Sequence, residues 1–248
     1  MRPMKIHVSY SVQTGINKAV CDDSALIGGA VINASSGEYE LEAPCVIALC
    51  DGVGGNAGGR DASMFVCEGL KTADFDKLED SLRALNASLV AFAADMGEKK
   101  RMATTMTALF MGECGCFLAH TGNTRLYEPR GGFTRQLTVD HTTYQYLLSA
   151  GYPERAEACN KSEITSAFGG GDTRILSRLD ISRVFERGLP KSLLLTTDGV
   201  HDTLSQDEIE AFLTSAQSDS ELCEALCSAA AEKGSCDDRS ACVIRFLP

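Results

Sequence analysis

The sequence predicts an α+β fold, and three observations carry that prediction. Apolar runs such as Val46-Ile47-Ala48-Leu49 and Leu193-Leu194-Leu195 have the length and composition of buried strands. Glycine-punctuated joins, at Gly112 and Gly115 and at Gly122-Asn123, place strand beside strand as hairpins do. Helical patterns fall between these strands without the regular β-α alternation of a parallel sheet.

From the N-terminus, Ile6 to Val12, Ser24 to Ile32 and Cys45 to Cys50 are strand-like, and Gly52 to Gly59 is a glycine-rich loop. The period becomes helical from Ala62 to Lys71, with Met64, Val66, Cys67 and Leu70 on one face. In a second helix, from about Leu78 to Met96, Leu78, Leu82, Leu85, Leu89 and Phe92 recur at three or four residues, the spacing of a core face. Thr104 to Met111, Cys116 to His120 and Thr124 to Glu128 are strands, and Pro129-Arg130-Gly131-Gly132 is a hairpin turn. Thr142 to Ala150 is helical, with Gly151 placed to cap it. Tyr152 to Asp180, containing Gly169-Gly170-Gly171, reads as irregular and mobile. Leu193 to Thr197 is a buried strand. Ser205 opens a capping-box helix that runs through Phe212, a helix packing Leu222, Leu226 and Ala229 spans Ser220 to Lys233, and Ala241 to Leu247 is the last strand.

Composition narrows the function. The 248 residues show no linker or internal repeat, so one domain over residues 1–248 is expected. A net charge of -11, with Lys99-Lys100-Arg101 the longest basic run, disfavours nucleic acid as a partner. No apolar stretch approaches the length of a membrane helix, and Met1 to His7 lacks the apolar core of a signal peptide. A cytoplasmic protein without a membrane partner is the expectation. The eleven cysteines are odd in number and include no CxxC pair. Cys114-Gly115-Cys116 and Cys223 with Cys227 are the closest pairs, and Cys45, Cys50, Cys67 and Cys242 sit in apolar runs as core residues do.

Four acidic motifs carry the chemistry: Cys21-Asp22-Asp23-Ser24, Cys50-Asp51-Gly52-Val53-Gly54-Gly55, Thr197-Asp198-Gly199 and Cys236-Asp237-Asp238. Each adjoins an apolar run, which puts its carboxylates at a strand end. Carboxylates gathered there repel one another unless a cation compensates them, and hard divalent ions prefer such oxygen donors. A metal site on strand ends follows.

Taken together the motifs resemble the type 2C family of metal-dependent serine/threonine protein phosphatases. Gly15, Asp22 and Asp23 match its first motif, with Lys18 at its arginine position; Asp51 to Gly55 with Ala57 and Gly58 match its Asp-Gly-x-Gly-Gly loop, and Ala103-Thr104-Thr105 stands for its Gly-Thr-Thr. Gly122-Asn123-Thr124-Arg125 stands for Gly-Asp-Ser-Arg, and Leu137-Thr138-Val139-Asp140-His141-Thr142 for Leu-Thr-x-Asp-His-Ser/Thr. Leu195 to Gly199 with Asp202 matches Ser-Asp-Gly-x-x-Asp, and Asp237-Asp238 stands for Asp-Asn. The resemblance implies a four-layer αββα sandwich, two antiparallel β-sheets flanked by helices, acting as a bacterial-type phosphatase on phosphoserine and phosphothreonine proteins of a cognate kinase. It implies two Mn²⁺ or Mg²⁺ ions. Asp51 would bridge both, the Gly52 carbonyl would serve the second and Asp198 and Asp237 the first, with Asp22 and Asp23 acting through water. Asp51, Asp198 and Asp237 would thus be the catalytic set.

The chain departs from the family pattern at three places. Lys18 replaces the arginine that would hold substrate phosphate, keeping the charge and losing the bidentate fork. Asn123 replaces a carboxylate that, with the residue matched by Asp202, would hold a weak third ion, so a third ion is disfavoured. Val53 stands where animal members have a histidine. Asp238 in place of Asp237 as the ligand stays open, His141 reads as structural, and His201 as a surface residue. A catalytically weak relative that binds phosphoproteins is the competing reading. A phosphatase of the anti-anti-sigma type, selective through Tyr152 to Asp180, is a third.

Overall fold

The computed structural model describes residues 4–53, 58–112, 115–185 and 188–247. One sheet has the order β10 (Phe133–Gln136), β9 (Arg125–Arg130), β13 (Ser192–Thr196), β14 (Arg239–Leu247), β1 (Lys5–Gln13), β4 (Ser36–Glu42). The other runs β12 (Asp180–Val184), β8 (Gly115–Thr121), β7 (Met106–Gly112), β5 (Cys45–Cys50), β2 (Ser24–Ile27), β3 (Ala30–Ile32). A small ladder joins β6 (Ala103–Thr104) to β11 (Phe168–Gly169). Neighbouring strands in both sheets are antiparallel.

Strand alternation sorts the apolar residues into three cores. Ile6, Val8, Ile47, Leu49, Leu193 and Leu195 meet between the sheets. Val46, Ala48 and Cys50 point the other way, onto α1 (Gly59–Leu70) and α2 (Leu78–Ala93) through Val66, Leu70, Leu82 and Leu89. Leu194, Ala241 and Val243 face α6 (Gln206–Ser215) and α7 (Asp219–Glu232) through Ile209, Leu222 and Leu226. Helices thus cover both outer faces, and the expected αββα sandwich is the architecture observed. It also explains why these strands read as unbroken apolar runs: side chains on both faces are buried.

Several elements differ from the sequence reading. Ser24 to Ile32 is two strands, because the chain reverses at Gly28, whose φ is +63°. Thr104 to Met111 is broken at Thr105, whose N–H turns to the Asp51 carbonyl (2.8 Å) instead of a sheet partner. The turn after β9 is only Gly131-Gly132, and β4 and β10, polar or short edge strands, were not anticipated. Tyr152 to Asp180 is not a loose segment: it holds α4 (Pro153–Glu157) and β11, and Phe168 is fully buried against α2. Phe92 ends the α2 stripe half-exposed, stacked on Phe65 at 5.0 Å. The capping box at Ser205–Glu208 and the Gly151 cap after α3 (Thr143–Ser149) form as expected. Seven of the described cysteines are buried thiols and none is in a disulfide; Cys114 lies outside the described residues, as do Gly54, Gly55 and Ala57 of the glycine-rich loop. Among the described residues no helix is long and apolar enough to cross a membrane.

Candidate metal centre

Antiparallel register brings the acidic motifs to one rim. Ser24 at the start of β2 pairs with Cys50 at the end of β5, which sets Asp23 beside Asp51. Thr196 at the end of β13 pairs with Ala241 near the start of β14, which sets Asp198 beside Asp237 and Asp238. Asp198 then opens the short helix α5 (Asp198–His201).

The main chain at Asp51 is pinned from the end of β6 and the residue after it: Thr104 Oγ1 and Thr105 N–H both donate to its carbonyl at 2.8 Å. Gly52 passes so close to its neighbours that a Cβ there would lie 2.4 Å from the Gly59 carbonyl carbon, so only glycine fits. Asp51 and Asp198 approach within hydrogen-bonding reach of each other, and burial, reinforced by neighbouring carboxylates, holds both pKa values above the ordinary range. Asn123 Nδ2 donates to Asp198 Oδ2 at 2.9 Å. Asp23 is 1% exposed. Its Oδ2 accepts from Ser240 Oγ (2.6 Å) and Thr197 Oγ1 (2.9 Å), its Oδ1 is buried with no partner among the described residues, and burial pushes its pKa up to about 7. Asp22 Oδ1 accepts from Arg60 N–H (2.9 Å) in the first turn of α1, so this carboxylate caps a helix.

The two adjacent aspartates are sorted by their contacts. Asp238 is buried and accepts from Gly15 N–H (2.7 Å), Asp22 N–H (2.8 Å) and Lys18 Nζ (2.8 Å). Asp237 is exposed at the rim; its Oδ1 accepts from Lys18 Nζ (2.6 Å) and from Asp238 N–H (2.8 Å), and among the described residues no such bond engages its Oδ2. Asp238 therefore anchors the loop before β2, and Asp237 has an oxygen to offer. Lys18, 3.7 Å from Asp22 as well, is seated as the counter-ion of this cluster. A grip on substrate phosphate would require it to give up those bonds.

Asp202 lies with Asp198 and Asp237 on a recess of about 200 Å³, and its Oδ2 accepts from Ser162 Oγ (3.1 Å). Asn123 gives only its Nδ2 to Asp198; its Oδ1, the atom that would serve a weak third ion beside Asp202, is buried with no hydrogen-bond donor among the described residues. His201 is buried, not a surface residue: Nδ1 pairs with Thr196 Oγ1 at 2.7 Å. His141 is structural, joining Gly122 N–H to Asp180 Oδ2 (3.1 Å). Larger recesses lie elsewhere. One of about 420 Å³, lined by Ser192, Leu222 and Arg245, is at the opposite end of β13 and β14, so size does not mark the site.

Sequence reasoning missed the supports: Thr197 and Ser240 behind Asp23, and the forked Arg125–Asp140 ion pair (2.6 and 3.0 Å) that locks β9 to the loop before α3. Ser240 sits in no motif, whereas Arg125 and Asp140 each lie in one, and only folding pairs them.

Among the described residues no three His, Cys, Asp or Glu side chains close on a single point. The donor set still fits a hard divalent cation. It is all oxygen, Asp51 and Asp198 crowd one another, and Asp23 Oδ1 is a buried acceptor with nothing to accept among the described residues.

A sandwich of this topology with strand-end carboxylates defines a metal-type phosphatase scaffold, and comparison with known proteins agrees. The protein phosphatase PhpP of Streptococcus pneumoniae is 30% identical over 186 residues, 68% of this chain and 73% of PhpP. The serine/threonine protein phosphatase PstP of Mycobacterium tuberculosis is 31% identical over 175 residues, 66% of this chain; the match spans 33% of PstP. The crystal structure of PstP superposes with a TM-score of 0.78 at 26% identity, covering 98% of this chain and all of that one. The PstP catalytic domain has also been solved with two manganese ions (TM-score 0.73, 24% identity, 99% of this chain and 100% of that one). No protein-family model matches the chain. The chain belongs to the type 2C family of serine/threonine protein phosphatases.

Proposed function

We propose that residues 1–248 form one phosphatase domain that hydrolyses phosphoserine and phosphothreonine in proteins, including those of a cognate kinase. The single observation that carries this reading is the meeting of Asp23, Asp51, Asp198 and Asp237 at one rim, where burial and the neighbouring carboxylates disfavour charge on Asp51 and Asp198 and Asp23 Oδ1 is buried with no hydrogen-bond partner among the described residues. Asp51, the Gly52 carbonyl, Asp198 and Asp237 would hold two ions, Mn²⁺ or Mg²⁺, with Asp22 and Asp23 behind them. Bound there, the ions would polarise the phosphoryl group and make water acidic enough to attack near neutral pH.

The chain's own groups supply position. Thr104 and Thr105 fix the backbone of Asp51, Asn123 orients Asp198, and Lys18 holds one oxygen of Asp237 so that the other faces outward. Because Lys18 is spent on carboxylates, substrate phosphate is oriented chiefly by the ions, and weak phosphate affinity follows. A cytoplasmic setting suits the unpaired buried thiols.

The test is p-nitrophenyl phosphate hydrolysis by EDTA-stripped protein titrated with Mn²⁺ and with Mg²⁺. Activity should return with metal and vanish in Asp198→Ala. Hydrolysis that survives both EDTA and Asp198→Ala would sink the mechanism.

A further inference from the structure

A groove of about 370 Å³ lies beside the acidic rim, with Val53, Arg101 and Ala103 on one side and Ile164, Ser166 and Gly170 on the other. Its distance from the chemistry follows from the backbone. Val53 N–H donates to the Ala103 carbonyl (2.9 Å) and Thr105 N–H to the Asp51 carbonyl (2.8 Å), so the two segments run antiparallel. The groove therefore begins two residues along from Asp51, about 7 Å at strand rise. Its far wall is fixed: Gly170 N–H bonds the Met102 carbonyl (2.8 Å), Thr165 N–H bonds the His141 carbonyl (2.8 Å), and Phe168 between them is buried.

Arg101 gives the groove its chemistry. It is exposed at the end of the 3₁₀ turn Gly97–Arg101, and its guanidinium has no hydrogen bond or ion pair among the described residues. Its neighbour Lys99 is already paired with Asp61 at 2.6 Å, and Lys100, though exposed, does not line the groove. In a chain of net charge -11, acidic peptides are repelled at long range, so an unspent guanidinium at the groove is where a carboxylate gains most.

We infer that this groove receives the polypeptide flanking the phosphorylated residue, and that Arg101 selects a carboxylate about two residues away from it. An extended peptide covers that interval in two residues, matching the backbone offset. The inference rests on the hydrolase reading above and adds a substrate class to it.

The experiment measures kcat/KM on phosphothreonine peptides identical except for Asp, Ala or Lys placed two residues before or two after the phosphothreonine, with p-nitrophenyl phosphate run alongside. In one of the two series the Asp peptide should exceed the Lys peptide by about tenfold or more, the scale of one charge-assisted hydrogen bond. Arg101→Glu should invert that ratio, whereas Lys100→Glu, which changes net charge equally, should keep it. A protein inactive on p-nitrophenyl phosphate with every metal overturns the hydrolase reading and this inference with it. A protein active on p-nitrophenyl phosphate overturns this inference alone if it treats the peptides alike. The same holds if Arg101→Glu keeps the wild-type ratio, or if Lys100→Glu shifts it as far as Arg101→Glu does.

Discussion

Replacing Asp238 by alanine removes an acceptor that three donors share in a buried position. Gly15 N–H and Asp22 N–H lose bonds of 2.7 and 2.8 Å, and Lys18 Nζ loses one of 2.8 Å. Hydrogen bonds to a charged group contribute about 1.5–3 kcal/mol each, and a buried donor left unpaired costs about 1–3 kcal/mol. Lys18 keeps Asp237, and Asp22 N–H is only partly buried, so water can relieve it. The expected net loss is about 3 kcal/mol, against a total stability of about 5–15 kcal/mol for a typical domain. With a urea m-value of about 3 kcal/mol/M, the unfolding midpoint in EDTA should fall by about 1 M. Asp237→Ala, by contrast, removes an exposed side chain and should leave that midpoint within a few tenths of a molar while Mn²⁺ binding by calorimetry weakens about tenfold or more. The pair decides which aspartate anchors and which ligates. An Asp238→Ala protein with the wild-type midpoint, or an Asp237→Ala protein with wild-type Mn²⁺ affinity, would refute the assignment.

Other outcomes follow from the same geometry. The raised pKa values of Asp51 and Asp198 mean that the fold disfavours their charge, a penalty absent below the ordinary carboxylate pKa that grows as pH rises. In EDTA at pH 7–8, Asp198→Asn should therefore melt above the wild type while losing its response to Mn²⁺, and a lower melting temperature would contradict this charge penalty. A Cβ at Gly199 would lie 1.9 Å from the Asp238 carbonyl oxygen, whereas one at Gly29 meets nothing within 4 Å among the described residues. Gly199→Ala should lower the melting temperature by about 5–10 °C, from an overpacking cost of about 2–3 kcal/mol, and Gly29→Ala should leave it nearly unchanged in a thermal scan. Burial, with the neighbouring His141 adding to it, lowers the His120 pKa to about 3, so its neutral ring is favoured in the fold. Its contribution is intact above pH 6.5 and is lost as pH falls toward 3, at up to about 1.4 kcal/mol per unit. Urea midpoints for wild type and His120→Gln between pH 7 and 5 should converge as pH falls, and parallel curves would count against this cause.

How legible the molecule was differs by element. Strands buried on both faces, such as Cys45–Cys50, were readable at both ends, and helices with explicit caps, such as Gln206–Ser215, at the capped start, though this one runs on past Phe212 to Ser215, because composition and capping act locally. Strands β4 and β10 were not, because they are edge strands: Ser36–Glu42 carries Glu38, Glu40 and Glu42 and owes its extended form to pairing with β1. The segment after Tyr152 looked loose because its few apolar residues follow no period, yet Phe168 ties it to α2.

The sequence by itself determined the fold class and the family the chain belongs to, since apolar strands and strand-end Asp-Gly steps are written in residue type and order. Only the tertiary structure decided which of these carboxylates are spent. Asp238 is consumed as an anchor, Asp22 caps a helix, Lys18 is a counter-ion, and Asp51 with one oxygen each of Asp23, Asp198 and Asp237 remains among the described residues. The reason is physical: a carboxylate's role depends on which donors lie within about 3 Å of it, and here most of those donors come from residues far away in the chain.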